Sequence, residues 1–569
     1  MKQAISNTRL PLALLAALLL TAAAYAAAPG ITGPVFNLTA QQAFLNQPDG
    51  TAVYSWGYGC NGAPTGFAPA AMASVSVCPS MQVPGPTLIV TEGATVTVNL
   101  TNGLPKAAGN TSILFPDFAV TATGGVTGLL TQEAASAGTV SYSFSTTGQA
   151  GTHAYYSGTQ GDLQIEMGLY GAIIVLPSTT ETNCTSGVAS QNVAAQAHWG
   201  ETDFRLAKNA YDHPGTCYDR EYLFQWAEMD PNIHKQALAQ VSDPARVAAC
   251  ATPPTTGAPP EQCSLNVPTE PYNPAYFLIN GRSMPDLMDP NYDPIYPHQP
   301  YNANPHMHPG EQTLVRTVGQ GRWQHPFHEH GNHVRILARD GNMVLSNSAT
   351  PIQYSTPGSS VVSGPALAGL LMFNTDTTPG QAFDGIFYWS GRGLNWDPYG
   401  HNPLSPDPLA KLPCTPDANG FNTQGAAAQA VNYFEWCQDH NKPLEANPFG
   451  DVEGGGPATL PSPNIFTNGP WYGGTPYLGP DATVRSASTL RNDVHSGMSG
   501  CETGVVGSTP GCTNLQPSNV QANPGNERGF AFMWHSHNER EITTNNVFPG
   551  GMLMMMLVDS REFVIDESQ

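Results

Sequence analysis

The segment PGPTLIVTEGATVTVNL, residues 84–100, sets Val96, Val98 and Leu100 against Thr95, Thr97 and Asn99. A period of two is the pattern of a strand with one buried and one wetted face. The same alternation returns at Val140, Tyr142 and Phe144. It leads through Gly148 and Gly151 into GTHAYYSG, residues 151–158, and then GLYGAIIVL, residues 168–176, which ends at Pro177. Short strands punctuated this closely by Gly and Pro predict a β-sandwich or Greek-key barrel.

A second strand-rich block begins at Glu221–Trp226 and runs through Ala275–Gly281, Thr313–Val318 and Asn332–Leu337. PGQAFDGIFYW from Pro379, Phe530–Trp534 and Gly551–Val558 complete it. Ile233–Val247 is the one stretch with a helical pattern. From about 395 to 525 the chain is rich in Gly, Pro, Asn and Asp without periodicity, which reads as a long loop-rich insertion pinned by disulfides.

Composition supports an all-β chain. Among 569 residues there are 58 Gly and 52 Pro, and only 11% are charged, against roughly 25% in ordinary soluble domains. Asp and Glu outnumber Lys and Arg 43 to 21, leaving a net charge of −22. A surface of that sign repels phosphate backbones and excludes nucleic acid as a partner, while it attracts cations.

Lys2 and Arg9 precede the apolar run Leu12–Ala24, which is followed by small residues up to Ala28. This is the arrangement of a secretory signal peptide over 1–28, with cleavage expected near Ala26 or Ala28 and a secreted or periplasmic mature protein. No later stretch is apolar for long enough to span a membrane. In an exported chain the ten cysteines read as disulfides. Nearest-neighbour pairing gives Cys60/Cys78, Cys250/Cys263, Cys414/Cys437 and Cys501/Cys512, leaving Cys184 and Cys217.

The chemistry lies in the histidines. HPFHEHGNH carries His325, His328, His330 and His333, and WHSH carries His535 and His537 around Ser536. Residues two apart on a strand share a face, so His328 and His330 project together, as do His535 and His537. If the two strands are neighbours, four imidazoles converge into a set suited to copper, zinc or iron. His306 and His308 stand in a proline-flanked loop and read as structural. Alternation places most of Met552 and Met554–Met556 in the core, and Tyr155, Tyr156 and Trp534 read as packing residues.

HPFHEHG resembles the HPxHxHG copper motif of the multicopper oxidases, and FMWHSH followed by FPGGM resembles that family's C-terminal HCH segment. PGPTLIVTEGATVTVNL and GTHAYYSG…GLYGAIIV resemble its first cupredoxin domain, and YFLINGR with PGQAFDGIFYW a later one. The resemblance implies tandem cupredoxin-like Greek-key sandwiches: domain 1 over 29–180, and domain 2 over 181–569 with the insertion at about 395–525. The alternative is a third cupredoxin domain within 300–569.

The departures shape the functional reading. The family's type 1 cysteine position falls on Ser536, a hydroxyl that cannot stand in for a thiolate ligand or electron relay. The downstream type 1 histidine position falls on Glu541, which leaves His325 without its partners. The first-domain ligand positions fall on Leu114-Phe115-Pro116 and Tyr156-Ser157-Gly158. What remains of the ligand set is His328, His330, His535 and His537, with His325 and His333 as further candidates and carboxylate help from Glu329, Glu539 or Glu541 as an option.

Three functions follow from the resemblance. The first is a secreted copper-binding oxidoreductase by descent with one residual histidine-rich site, in which zinc or another divalent metal is the alternative to copper. The second is an oxidase with a rearranged centre, taking electrons from a small-molecule or metal-ion reductant. The third is a non-catalytic metal-binding or surface protein that kept only the fold. Conventional laccase activity is not expected.

Overall fold

The computed structural model describes most of residues 28–251, 261–392 and 528–561, parts of 408–438, the strand Gly474–Leu478, and Ile565. The signal-peptide reading, Cys501, Cys512 and most of the 395–525 insertion lie outside the described residues.

The architecture is all-β, and the described residues form two cupredoxin-like sandwiches. In the first, one sheet has the order Gly151–Tyr156, Tyr170–Leu176, Leu88–Thr91, Gly30–Thr32 and Phe67–Ala68. Its facing sheet has the order Ala52–Cys60, Val35–Asn46, Thr95–Asn102, Thr139–Ser145 and Thr121–Thr123. Parallel pairings such as Tyr170–Leu176 on Leu88–Thr91 join strands distant in sequence, as Greek-key crossovers require. The alternation at 95–100 does what its period dictates: Val96, Val98 and Leu100 are fully buried and pair with Phe144, Tyr142 and Val140.

The second sandwich faces a sheet built on Arg220–Met229, Gln312–Gly319, Ala382–Tyr388 and Val334–Arg339 against one built on Leu553–Asp559, Arg528–Ser536, His325–Glu329 and Asn374–Thr377. Trp226, Phe327, Phe532, Trp534, Met552, Met554 and Met556 fill the space between them. Cys60–Cys78, Cys184–Cys217, Cys250–Cys263 and Cys414–Cys437 are disulfide-bonded.

The helices differ from the sequence pattern. Ile233–Val247 is two helices, Pro231–Val241 and Pro244–Ala251. Asp230 caps the first by accepting from the Asn232 amide at 2.9 Å. Pro244, which has no N–H to donate, opens the second instead of continuing the first. Val188–Trp199 is a further helix. Its apolar residues are mostly alanine and mark no single face, so propensity rather than periodicity carries it.

A buried charge network joins the sandwiches. The Arg316 guanidinium donates to Glu221 at 2.9 Å and to the Thr152 hydroxyl at 3.0 Å, and Thr152 Oγ1 donates to Asp384 at 2.6 Å. Thr152 belongs to the first sandwich; the other three belong to the second. Removing the cation strands two carboxylates in a dry seam. Arg316→Ala is therefore expected to cost about 3–5 kcal/mol in a urea unfolding titration.

Candidate metal centre

His325–Glu329 pairs antiparallel with Arg528–Ser536 in a register that sets Phe327 opposite Ser536 and His328 opposite His535. Alternation then divides the two strands between faces. Phe327 and Trp534 point into the core, whereas His328, His330, His535 and His537 share the outer face.

On that face the His328 ring lies 4.7 Å from His330, 5.3 Å from His535 and 4.8 Å from His537, centre to centre. Candidate ligand atoms of His328, His330 and His535 all fall within 4.8 Å of one another. His537 stands at the exposed edge, outside that mutual set. His328 Nδ1 donates to the Phe373 carbonyl at 2.6 Å, and His535 Nδ1 donates to the Ser536 carbonyl at 2.6 Å. A carbonyl only accepts, so each neutral ring keeps its proton on Nδ1 and presents an unprotonated Nε2.

Burial, followed by the neighbouring imidazoles, pushes His328 down to about 4. His535 is lowered as well, chiefly by burial. Both are neutral at neutral pH, as metal ligation requires.

The turn after the first strand is fixed by two features. The Trp534 indole N–H donates to the His330 carbonyl at 3.0 Å. Gly331 adopts φ +93°, a left-handed conformation, where a Cβ would meet the Phe532 ring at 2.9 Å.

The donor set fits copper. His330 Nε2 and His535 Nε2 are 3.2 Å apart. Two nitrogens ~2.0–2.1 Å from a shared ion are separated by about 3 Å at tetrahedral to square angles. Neutral imidazoles are ligands that Cu(II) favours.

The opposite face of the same strands holds a different arrangement. His325 is fully buried, with Nδ1 2.9 Å from Glu541 Oε2 and Nε2 2.9 Å from Glu228 Oε2. The Ser536 hydroxyl donates to Glu541 Oε2 at 2.5 Å. Glu228 also accepts from the amides of Arg322 and Trp323 and from the Tyr272 hydroxyl. Burial alone would lower His325, but the two carboxylates outweigh it and raise the ring to about 9.

An unfolded histidine releases its proton near 6.5, while folded His325 keeps it to about 9. The stabilisation is therefore complete below the lower value and is lost as pH rises through the higher one. Unfolding free energy measured from about pH 6 to 10 should fall over this window, and His325→Gln should remove that part of the slope.

The structure places the other candidates elsewhere. His325 faces the core side, away from the outer cluster. His333 packs edge-on to Phe373 at 5.1 Å, outside the group of three. Glu329 is buried and accepts from the Thr375 hydroxyl at 3.3 Å, and Glu539 is exposed. Glu541 binds His325 and Ser536, so none of the three acids is in the metal-capable group. His306 is engaged by Asp559 at 2.8 Å and His308 by Glu201 at 2.8 Å. Leu114 and Tyr156 do come together, as a backbone bridge, and a Cβ on Gly158 would meet Leu114 at 2.7 Å.

Glu228 and Tyr272 are site residues that sequence reasoning missed. A signal for Glu228 exists: a carboxylate stands within the otherwise apolar run YLFQWAEM, residues 222–229.

Residues 70–180 match the multicopper oxidase family model. No curated protein matches the chain. Among solved structures, the multicopper oxidase mgLAC is similar at 16% identity and TM-score 0.34, covering 62% of this chain and 74% of that one. A blue copper oxidase from Nitrosomonas europaea shows 15% identity and TM-score 0.33 over 62% and 74%. Fet3p, a multicopper oxidase that functions in iron import, shows 17% identity and TM-score 0.34 over 63% and 46%.

Proposed function

We propose that this multicopper-oxidase-like, all-β chain is an exported copper-binding protein with one residual metal site, formed by His328, His330 and His535 with His537 at its rim. The division into domains at 29–180 and 181–569 belongs to the same reading. The observation that carries it is the register that opposes His328 to His535 and brings three imidazoles within 4.8 Å. Export is supported by the leader pattern before Ala28 and by four disulfides. No helix among the described residues is long and apolar enough to cross a membrane.

A copper ion at these histidines supplies one-electron redox chemistry. The chain's own residues prepare the site. The Phe373 and Ser536 carbonyls hold the His328 and His535 protons on Nδ1 and so keep Nε2 unprotonated for a metal. The partners are metal ions and, where the site turns over, a small-molecule or metal-ion reductant. His325, Ser536 and Glu541 occupy the place where the family keeps its type 1 copper, and fill it with an ion pair. This favours, as a second reading, metal binding without turnover.

Elemental analysis with electron paramagnetic resonance tests the proposal. After copper loading and dialysis the protein should retain about one Cu(II) with nitrogen hyperfine structure, and H328A/H535A should retain about none. Equal retention by the double variant would remove the site.

A further inference from the structure

On Arg528–Ser536 and Leu553–Asp559 the core face takes Phe530, Phe532, Trp534, Met554, Met556 and Val558. Alternation turns the intervening residues to the other face, the one that carries His535, where Ala531 and Leu557 are buried and Met555 packs against them. There Ala531 pairs with Leu557, Met533 with Met555, and His535 with Leu553. Met552, Met554 and Met556 are completely buried, whereas Met533 and Met555 are only partly so.

Resting on the copper-site reading above, we propose that Met533 and Met555 extend the histidine cluster into a mixed thioether–imidazole site that takes Cu(I). Met533 sits two residues before His535, so their Cα positions are ~6.8 Å apart along one strand face. Met533 and Met555 are direct cross-strand partners with Cβ atoms ~4.5–5.5 Å apart, and Met555 is a diagonal neighbour of His535 at ~7–8 Å, within reach of long side chains. Methionine is unbranched and adaptable, and its soft sulfur selects Cu(I) over harder divalent ions. The imidazoles alone suit Cu(II). Two thioethers beside them give the reduced ion ligands of its own, so the site keeps copper in both oxidation states.

The test is an anaerobic Cu(I) titration of the full chain in competition with bicinchoninate, run beside Cu(II) loading read by electron paramagnetic resonance. M533L/M555L keeps side-chain volume nearly constant and should weaken Cu(I) binding at least about tenfold, with the Cu(II) spectrum unchanged. X-ray absorption of the Cu(I) form should show sulfur scattering that the double variant lacks. Unchanged Cu(I) affinity, or nitrogen-only scattering in the unaltered protein, overturns the proposal. If the unaltered protein retains Cu(II) yet takes Cu(I) without sulfur, this inference alone fails; if it retains neither state, the copper site itself fails with it.

Discussion

S536C/E541H is expected to turn the copper-loaded protein intensely blue. Ser536 Oγ and His325 Nδ1 approach the same Glu541 oxygen, at 2.5 and 2.9 Å, so the three side chains already converge on one point. Cysteine at 536 and histidine at 541 would convert that point into a thiolate with two imidazoles, the trigonal set of a blue-copper site. His325 offers Nδ1 to it, while Glu228 holds Nε2 from behind at 2.9 Å, the outer carboxylate that orients a ligating ring. Met552 is alongside: its carbonyl accepts from the Ser536 amide at 3.0 Å and its amide donates to the Glu541 carbonyl at 2.8 Å. S536C alone should stay pale, because Glu541 keeps its grip on His325. Visible absorption of the two variants decides the matter, and a colourless double variant that has bound one more copper than the parent would mean that the three side chains do not form this geometry.

The convergence was half legible in the sequence. Spacing two residues apart put His328 with His330 and His535 with His537, because a strand's period is fixed by its pleat. Which strands would be neighbours was legible only through the motif resemblance, which grouped the four histidines as one ligand set; spacing alone does not give it. His330 and His535 are 205 positions apart, and only the chain's path through the sheet opposes them. The motif resemblance located Ser536 and Glu541 as substitutions, yet gave no reason for their pairing with His325; the reason is a buried charge balance that one-dimensional spacing does not encode. Glu228 completes that balance from a strand in the facing sheet, where a carboxylate in an apolar run shows that something must pair with it but not what. The Val188–Trp199 helix was hidden for a different reason, since its apolar residues, chiefly alanines, form no apolar stripe.

Copper-loaded, unaltered protein is expected to show little or no oxygen uptake with a phenolic donor. Reduction of O₂ to water takes four electrons, and the family gathers them on a cluster whose ligands come half from the first domain. By the motif resemblance those positions fall on Leu114, Pro116, Tyr156 and Gly158, which offer no imidazole. They are not an empty half-site awaiting metal: Leu114 and Tyr156 bond through their backbones at 2.7 Å, and the Leu114 side chain packs over Gly158. The same resemblance puts Ser536 where the relay's cysteine would stand. Between the outer histidines and the protein interior stand a serine hydroxyl, a carboxylate and an imidazolium, none of which cycles between redox states as a thiolate-bound copper does. An oxygen electrode measures the outcome. Rapid uptake in fixed ratio to donor oxidised would show that another cluster exists in this chain. The blue variant sharpens the argument, because S536C/E541H restores the relay without the first-domain ligands. It should therefore take an electron from the donor, bleach once and stop, whereas sustained turnover would place the missing ligands somewhere other than Leu114, Pro116, Tyr156 and Gly158.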